Sequence, residues 1–399
     1  MTTTSESAAD APAANDRSAP KMQFTDAEAG AKVFPSSTAR EYNYFTPAKR
    51  KQSRYEDVTV EVQPDPRHYL AQGWIYGFAD GQGGYPLEWT ALKAWGSDRP
   101  VPERFPGSGG KGYDWPAHGW HLFRDPNEEW ELTFYRYNSN VVRQITANVD
   151  AARETKAFEQ WNPNWVTFVE QHVGAWMHVE HGLGLYLFAN ANRRGPTNMH
   201  NNAISVNSMH RIRFAQDLAL YNLTLSEEID DFDGSAHVQT WNEDPAWQGV
   251  RRVTEQMTTI DDWAEAIFVA NIVFEPLVGE LFRSNLVQQA APGNGDYVTP
   301  TVVGAGEYDY AQRDLRYSKV MFELLTTDKE FAAHNVDLMG RWMSEWVPRC
   351  LQAARDLQPL WSQPDFKPPR FEDSLDRAKN RFRGILAELS LPEPKELAL

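Results

Sequence analysis

Residues 244–282 read DPAWQGVRRVTEQMTTIDDWAEAIFVANIVFEPLVGELF, and they leave few choices of fold. Asp244 followed by Pro245 marks a helix start: a side-chain oxygen for orphan amides, then a residue whose fixed φ suits the first turn. A second helical run begins near Asp261. Its large apolar residues, Trp263, Ile267, Ala270, Phe274, Leu277 and Leu281, alternate steps of four and three and form one stripe. Ile272 and Val273 widen the stripe, while Asn271 and Glu275 lie beside it. Twenty such residues make a rod of about 30 Å. A helix apolar over so much of its circumference is wrapped by other helices. Pro276 removes one backbone bond and crowds the carbonyl of Ile272, so the spacing predicts a kink.

Further helices are predicted over about residues 128–156, 161–191, 203–228, 245–258, 260–284, 307–327, 328–357 and 372–389. Breaks fall at Asn162-Pro163-Asn164, Arg194-Gly195-Pro196, residues 231–234 and residues 291–295, and residues 296–305 read as a polar connection. The fold class expected is all-α, a helical bundle over residues 128–399. Residues 1–22, rich in Ser, Thr, Ala, Asp and Pro, have nothing to bury and are expected to form a disordered tail.

Residues 23–127 read as an extended arm and an irregular partner-packing segment. Tyr42, Tyr44 and Phe45 precede the basic cluster Lys49, Arg50, Lys51 and Arg54, with no helical or strand period. Such aromatics need a surface to cover. Val58, Val60 and Val62 alternate as in a short strand, and a short helix is expected over residues 87–95. The rest is Gly- and Pro-rich chain carrying Trp74, Trp89, Trp95, Trp115 and Trp120. A connection this long packs on something. Tyr42, Tyr44, Phe45, Arg50, Arg54, Trp74, Trp115 and Trp120 are therefore the candidate partner-binding residues.

Composition narrows the function. A net charge of −16 argues against nucleic acid. The 15 Trp, 15 Tyr and 20 Phe suit large buried contacts, subunit interfaces included. One cysteine, Cys350, allows no internal disulfide and suits the cytoplasm. No secretory apolar region stands in residues 1–22, and the longest apolar run, 266–274, is too short to span a bilayer.

A helical bundle of this size invites a carboxylate-bridged di-iron centre. That centre needs Glu-x-x-His on each of two helices and a Glu from two others. None of the ten histidines has Glu three residues earlier. Asp65 precedes His68 at that spacing, but with Pro66 between them in a loop. Catalytic and metal-ligating residues are accordingly expected to be absent. His172, His178 and His181 crowd one helix with Glu170 and Glu180; a metal there would need ligands from another helix, and structural hydrogen bonding is the favoured role. The acidic run 227–233 lacks calcium-loop spacing. No nucleophile elbow, phosphate loop or dinucleotide fingerprint is present.

Four blocks carry a resemblance. WNEDPAWQGVRRV with DDWAEAIFVANIVFEPLVGEL resembles the hydroxylase β (small) subunits of bacterial multicomponent monooxygenases. HGWHLFRDPNEEWELTFYRYN at 118–138, residues 44–56 and RDLRYSKVMFELL at 313–325 are similar to other segments of that family, in the same order. YFTPAKRKQSRYEDVTVEVQPDPRHYL and GWIYGFADG resemble its propane monooxygenase branch more than the toluene, phenol or soluble methane branches.

The resemblance implies a ferritin-like bundle and a structural, non-catalytic role. The chain would scaffold a di-iron α (large) subunit in an (αβ)2 hydroxylase. A reductase with FAD and an iron–sulfur cluster would bring electrons from NADH, and a coupling protein would dock. The reaction implied is NADH- and O2-dependent hydroxylation of propane or other small alkanes, with ketones or phenol as further substrates. A toluene/phenol-type β subunit and a stand-alone helical binding protein are the competing readings.

Overall fold

The computed structural model describes Tyr55, residues 90–94 and residues 122–398 other than 193, 196 and 197. The described residues fall in one compact unit. Among them helix dominates and no strand occurs.

The long helices are α1 (Glu131–Glu154), α2 (residues 163–192), α3 (Asn198–Glu228), α4 (Ala236–Glu243), α5 (Pro245–Met257), α6 (residues 263–290), α7 (residues 299–326), α8 (Ala332–Asp356) and α9 (Phe371–Glu388). Helices α2, α3, α7 and α6 pack in a ring; α1 lies on α3 and α7, α5 on α2 and α8, and α8 and α9 on α6. Starts follow side-chain caps. Asp244 accepts from Ala246 N at 2.8 Å with Pro245 next, and Asp262 accepts from Ala264 N at 2.9 Å and Glu265 N at 3.2 Å.

Helix α6 is the centre. Every residue of Phe268–Gly279 is buried, as expected for a helix apolar on all sides. The expected kink at Pro276 takes another form: Phe268–Gly279 winds as a π-helix. In that register the acceptor that Pro276 leaves without an amide is Asn271, not Ile272. The hydroxyl of Tyr310 on α7 donates to the Asn271 carbonyl at 3.0 Å and fills the gap.

Three further corrections are local. Residues 296–305 are not a polar connection: α7 begins at Thr299, its first turn set by Asp296, which accepts from Val298 N at 2.8 Å and Thr299 N at 2.9 Å. Helix α4, absent from the sequence reading, is too short to show a clear apolar period. Residues 90–94 are not helical. Side chains of the bundle take their backbone groups instead: Asp262 accepts from Ala91 N at 2.7 Å, and Asn335 accepts from Lys93 N at 2.8 Å and donates to its carbonyl at 2.7 Å. Leu92 and Ala94 are buried there. The Val58–Val62 strand lies outside the described residues.

Tyr310→Phe keeps the ring and orphans one buried carbonyl. It is expected to cost about 1–3 kcal/mol, read as a lower midpoint in thermal or urea unfolding.

Candidate functional site

The four ring helices each aim polar side chains at the bundle axis. Helix α2 supplies Glu180, α3 supplies Asn207, His210 and Arg211, α6 supplies Asn271, Glu275 and Arg283, and α7 supplies Glu307, Asp314, Tyr317 and Ser318; of these all but Glu307 are buried. Many sit on π-helical turns: Asn271 and Glu275 in Phe268–Gly279, Arg283 in Leu281–Val287, Asp314 in Tyr310–Asp314. A wider turn changes which residues share a face, and here it brings polar residues inward.

Arg211 lies between carboxylates from three helices. Its Nη1 pairs with Glu275 Oε1 and reaches Glu180 Oε2 at 3.1 Å, its Nη2 donates to Asn271 Oδ1 at 3.3 Å, and its Nε faces Asp314 Oδ2 at 4.0 Å. Arg283 holds the other side of the same acids, with Nη2 on Glu275 Oε2 at 2.6 Å, Nη1 on Glu180 Oε1 at 3.4 Å and Nε on Glu307 Oε2 at 2.9 Å. Trp176 Nε1 also donates to Glu180 at 2.6 Å. The two guanidinium groups hold the Glu275 carboxyl below its ordinary value despite full burial. Gly279 stands between Glu275 and Arg283, one helical turn from each. A Cβ there would overlap the Glu275 carboxylate and come within 3.0 Å of Arg283 Nη1.

A second group adjoins it through Asp314. His210 Nδ1 meets Asp314 Oδ1 at 2.7 Å and its Nε2 meets Glu129 Oε1 at 3.3 Å. Burial alone would lower the imidazole, but Asp314, Asp309 and Glu129 raise it to about 10. Burial lifts Asp314 to about 6, with His210 opposing. His210 is thus an imidazolium between carboxylates at neutral pH. Arg313 pairs with Glu129 and covers the Tyr137 ring at 4.0 Å. The FRDPNEE block has a local purpose here. Asp125 closes the turn by accepting from Asn127 N at 2.8 Å, and Glu129 enters the core.

The arrangement follows a di-iron bundle in outline. Such a bundle takes one Glu from each of two helices and an i, i+3 pair from each of the other two. Glu180 and Glu275 occupy the single positions. The pairs are Asn207 with His210 and Asp314 with Tyr317. An amide and a phenol therefore stand where ligands would, and Tyr317 OH donates to Asn207 Oδ1 at 2.9 Å. Two guanidinium groups share the acids and repel a metal cation. These residues do not fit a di-iron centre, and among the described residues no group of three or more His, Cys, Asp or Glu side chains is arranged to hold a metal ion.

The other histidines are dispersed. His172 Nδ1 accepts from Trp247 Nε1 at 3.0 Å, so its Nε2 donates to Gln363 Oε1 at 2.8 Å, and burial pushes it down to about 4. His178 meets His237 Nδ1 at 2.9 Å. His178 and His181 line an open groove of about 420 Å³ with Met177, Leu185, Ile212 and Ala219. Leu185, Tyr186, Leu220 and Leu223 are exposed on the same two helices, α2 and α3. Cys350 is buried, and burial pushes its thiol well up, away from thiolate chemistry. The candidate partner-binding residues Tyr42, Tyr44, Phe45, Arg50, Arg54, Trp74, Trp115 and Trp120 lie outside the described residues. Arg211 and Arg283 escaped the sequence reading; the available signal was the polar line Asn271, Glu275, Gly279 and Arg283 at every fourth place of an apolar helix.

Residues 102–328 match the model of the methane/phenol/alkene hydroxylase family, and the chain belongs to that family. It is 51% identical over 397 residues to the hydroxylase component small subunit of propane 2-monooxygenase from Rhodococcus jostii (strain RHA1), covering 100% of each chain. The same subunit from Mycolicibacterium goodii is 52% identical over 382 residues, 96% of this chain and 97% of that one. The methane monooxygenase component A beta chain of Methylococcus capsulatus is 23% identical, over 80% of this chain and 78% of that one. Among solved structures, phenol hydroxylase from Pseudomonas sp. OX1 aligns with a TM-score of 0.65 at 15% identity, covering 90% of this chain and 96% of that chain. Toluene 4-monooxygenase aligns with a TM-score of 0.60 at 19% identity, covering 79% and 99%. The expected family and its all-α, ferritin-like fold are borne out.

Two outcomes are expected. Gly279→Ala should destabilise by about 3–5 kcal/mol, the scale of a broken buried ion pair, seen as a lower unfolding midpoint. The raised imidazole of His210 contributes stability that is complete below its unfolded value near 6.5 and lost as pH rises through about 10. The melting temperature should fall between pH 7 and 10.5, and by less in His210→Gln, which should start lower at pH 7.

Proposed function

We propose that this chain is the non-catalytic small subunit of the hydroxylase of a propane-type monooxygenase. One observation carries the reading: the polar centre of the bundle, where a di-iron protein of this fold places its ligands, is filled by Arg211 and Arg283 paired with carboxylates. Identity near 50% over the whole length favours the propane branch over the toluene and phenol branches. The work of the chain is then architectural. A rigid, ion-paired core supports the metal-bearing helices of a large subunit, because catalytic ligands need a fixed supporting layer. The di-iron centre that activates O2 belongs to that subunit. A flavin and iron–sulfur reductase delivers electrons from NADH, a coupling protein docks, and the whole (αβ)2 assembly works in the cytoplasm.

Two parts of the chain are offered to the large subunit. One, read from the sequence alone, is the segment 23–127 with Tyr42, Tyr44, Phe45, Arg50 and Arg54. The other is the apolar face of α2 and α3, where Leu185, Leu220 and Leu223 are exposed.

Co-expression with a di-iron large subunit of the propane type tests the reading. The expected product is an equimolar complex whose iron and propane-dependent NADH oxidation require the large subunit. Stoichiometric iron in this chain by itself, or turnover without a companion, would overturn it. Deleting residues 23–54, which spares Tyr55, should split the complex on a sizing column.

A further inference from the structure

We infer that the cleft between the starts of α6 and α8 is a main-chain reader, occupied by residues 90–94 as a releasable strap whose docking is linked to the first turn of α6. Three side chains make the reader. Asp262 Oδ2 accepts from Ala91 N at 2.7 Å, and His334 Nε2 donates to the Ala91 carbonyl at 2.8 Å. Asn335 Oδ1 accepts from Lys93 N at 2.8 Å, while its Nδ2 donates to the Lys93 carbonyl at 2.7 Å. The amide and carbonyl of residues 91 and 93 are thus both met by the bundle, at the two-residue repeat of an extended segment. Leu92 and Ala94 are buried, and Ala91 is exposed. Main-chain bonds of this kind accept many sequences, and a pocket for one side chain does the selecting. The ligand class is an extended peptide with a leucine between the two residues that are read.

Two observations make the strap releasable. Among the described residues none of its main-chain groups pairs with another main-chain group, so no ladder or helix carries it. Leu92 is its one large buried side chain. Four hydrogen bonds to side chains and one leucine only slightly outweigh the entropy of ordering the segment, whereas Phe268–Gly279 of α6 is buried on every side. Asp262 makes the link. Its Oδ1 accepts from Ala264 N at 2.9 Å and Glu265 N at 3.2 Å, the amides at the start of α6, while its Oδ2 holds the strap. One carboxylate therefore serves both. Release of the strap opens that carboxylate to water and weakens the cap, and loss of the cap loosens the strap by the same factor. A pull on the chain at either end of residues 90–94 is felt where the central helix begins.

The inference stands on this geometry and holds whether or not the chain is a scaffold. Amide hydrogen exchange on the full chain, read at single residues by mass spectrometry, tests it. In the wild type Ala91 and Lys93 should exchange roughly 10–100 times more slowly than in an unstructured peptide, and Phe268–Gly279 far more slowly still. Leu92→Ala is confined to the strap. It should bring Ala91 and Lys93 to the unstructured rate and speed Ala264 and Glu265 about three- to tenfold, with Phe268–Gly279 unmoved. Leu351→Ala opens a cavity of the same kind within α8; it should lower the melting temperature and leave the strap, Ala264 and Glu265 as they were. The inference is overturned if residues 90–94 of the wild type exchange as slowly as Phe268–Gly279, or as fast as the free peptide. Leu92→Ala overturns it by leaving the strap protected, or by releasing the strap with Ala264 and Glu265 unchanged. An insoluble Leu92→Ala chain does so too, because a strap comes off without unfolding the bundle. So does a Leu351→Ala chain whose strap and first α6 turn loosen as much as in Leu92→Ala.

Discussion

Charge neutralisation inside a dry bundle governs this molecule. Glu180, Glu275 and Asp314 are buried, and an ionised carboxylate without a partner cannot stay there. Arg211, Arg283 and His210 answer them from neighbouring helices, so each charge constrains the position of two or three helices at once. Such a core adds less net stability than an apolar one of the same volume. What it adds is intolerance of misalignment, because a helix that shifts strands a charge.

The same logic separates this bundle from a metal-holding one of the same shape. A metal ion asks its ligands for deprotonated donors and open positions. This core offers an amide at Asn207, a phenol at Tyr317 and two permanent cations. The spacing of a ligand set is present, and internal salt links occupy it. The fold therefore says little about function here, and the side chains on its axis say a great deal.

Much of the architecture was legible because it rests on local rules. The cap at Asp244, a second helix start near Asp261, the stripe from Trp263 to Leu281 and the breaks at Pro163 and Gly295 all follow from backbone chemistry or periodicity. The failures have non-local causes. Residues 90–94 look helical, yet Asp262 and Asn335, far away in sequence, take their backbone groups. The start of α7 was hidden by the composition of TPTVVGAG. That no Glu-x-x-His exists is plain in the sequence; what lies on the bundle axis was not legible. Arg211 reads as an ordinary surface arginine until the partners of Asn271 and Glu275 are sought on other helices.

The bond from Tyr310 to the Asn271 carbonyl ties two distant sequence positions together. Pro276 creates a vacancy on α6 that a hydroxyl from α7 repairs, and a slip of α7 by one residue, about 1.5 Å, would undo the repair. Restoring an ordinary amide at 276 would leave the phenol sharing a carbonyl whose second lone pair is still open to it. The dependence runs one way: without the phenol the Asn271 carbonyl is stranded, whereas without the proline the phenol still has a lone pair to meet.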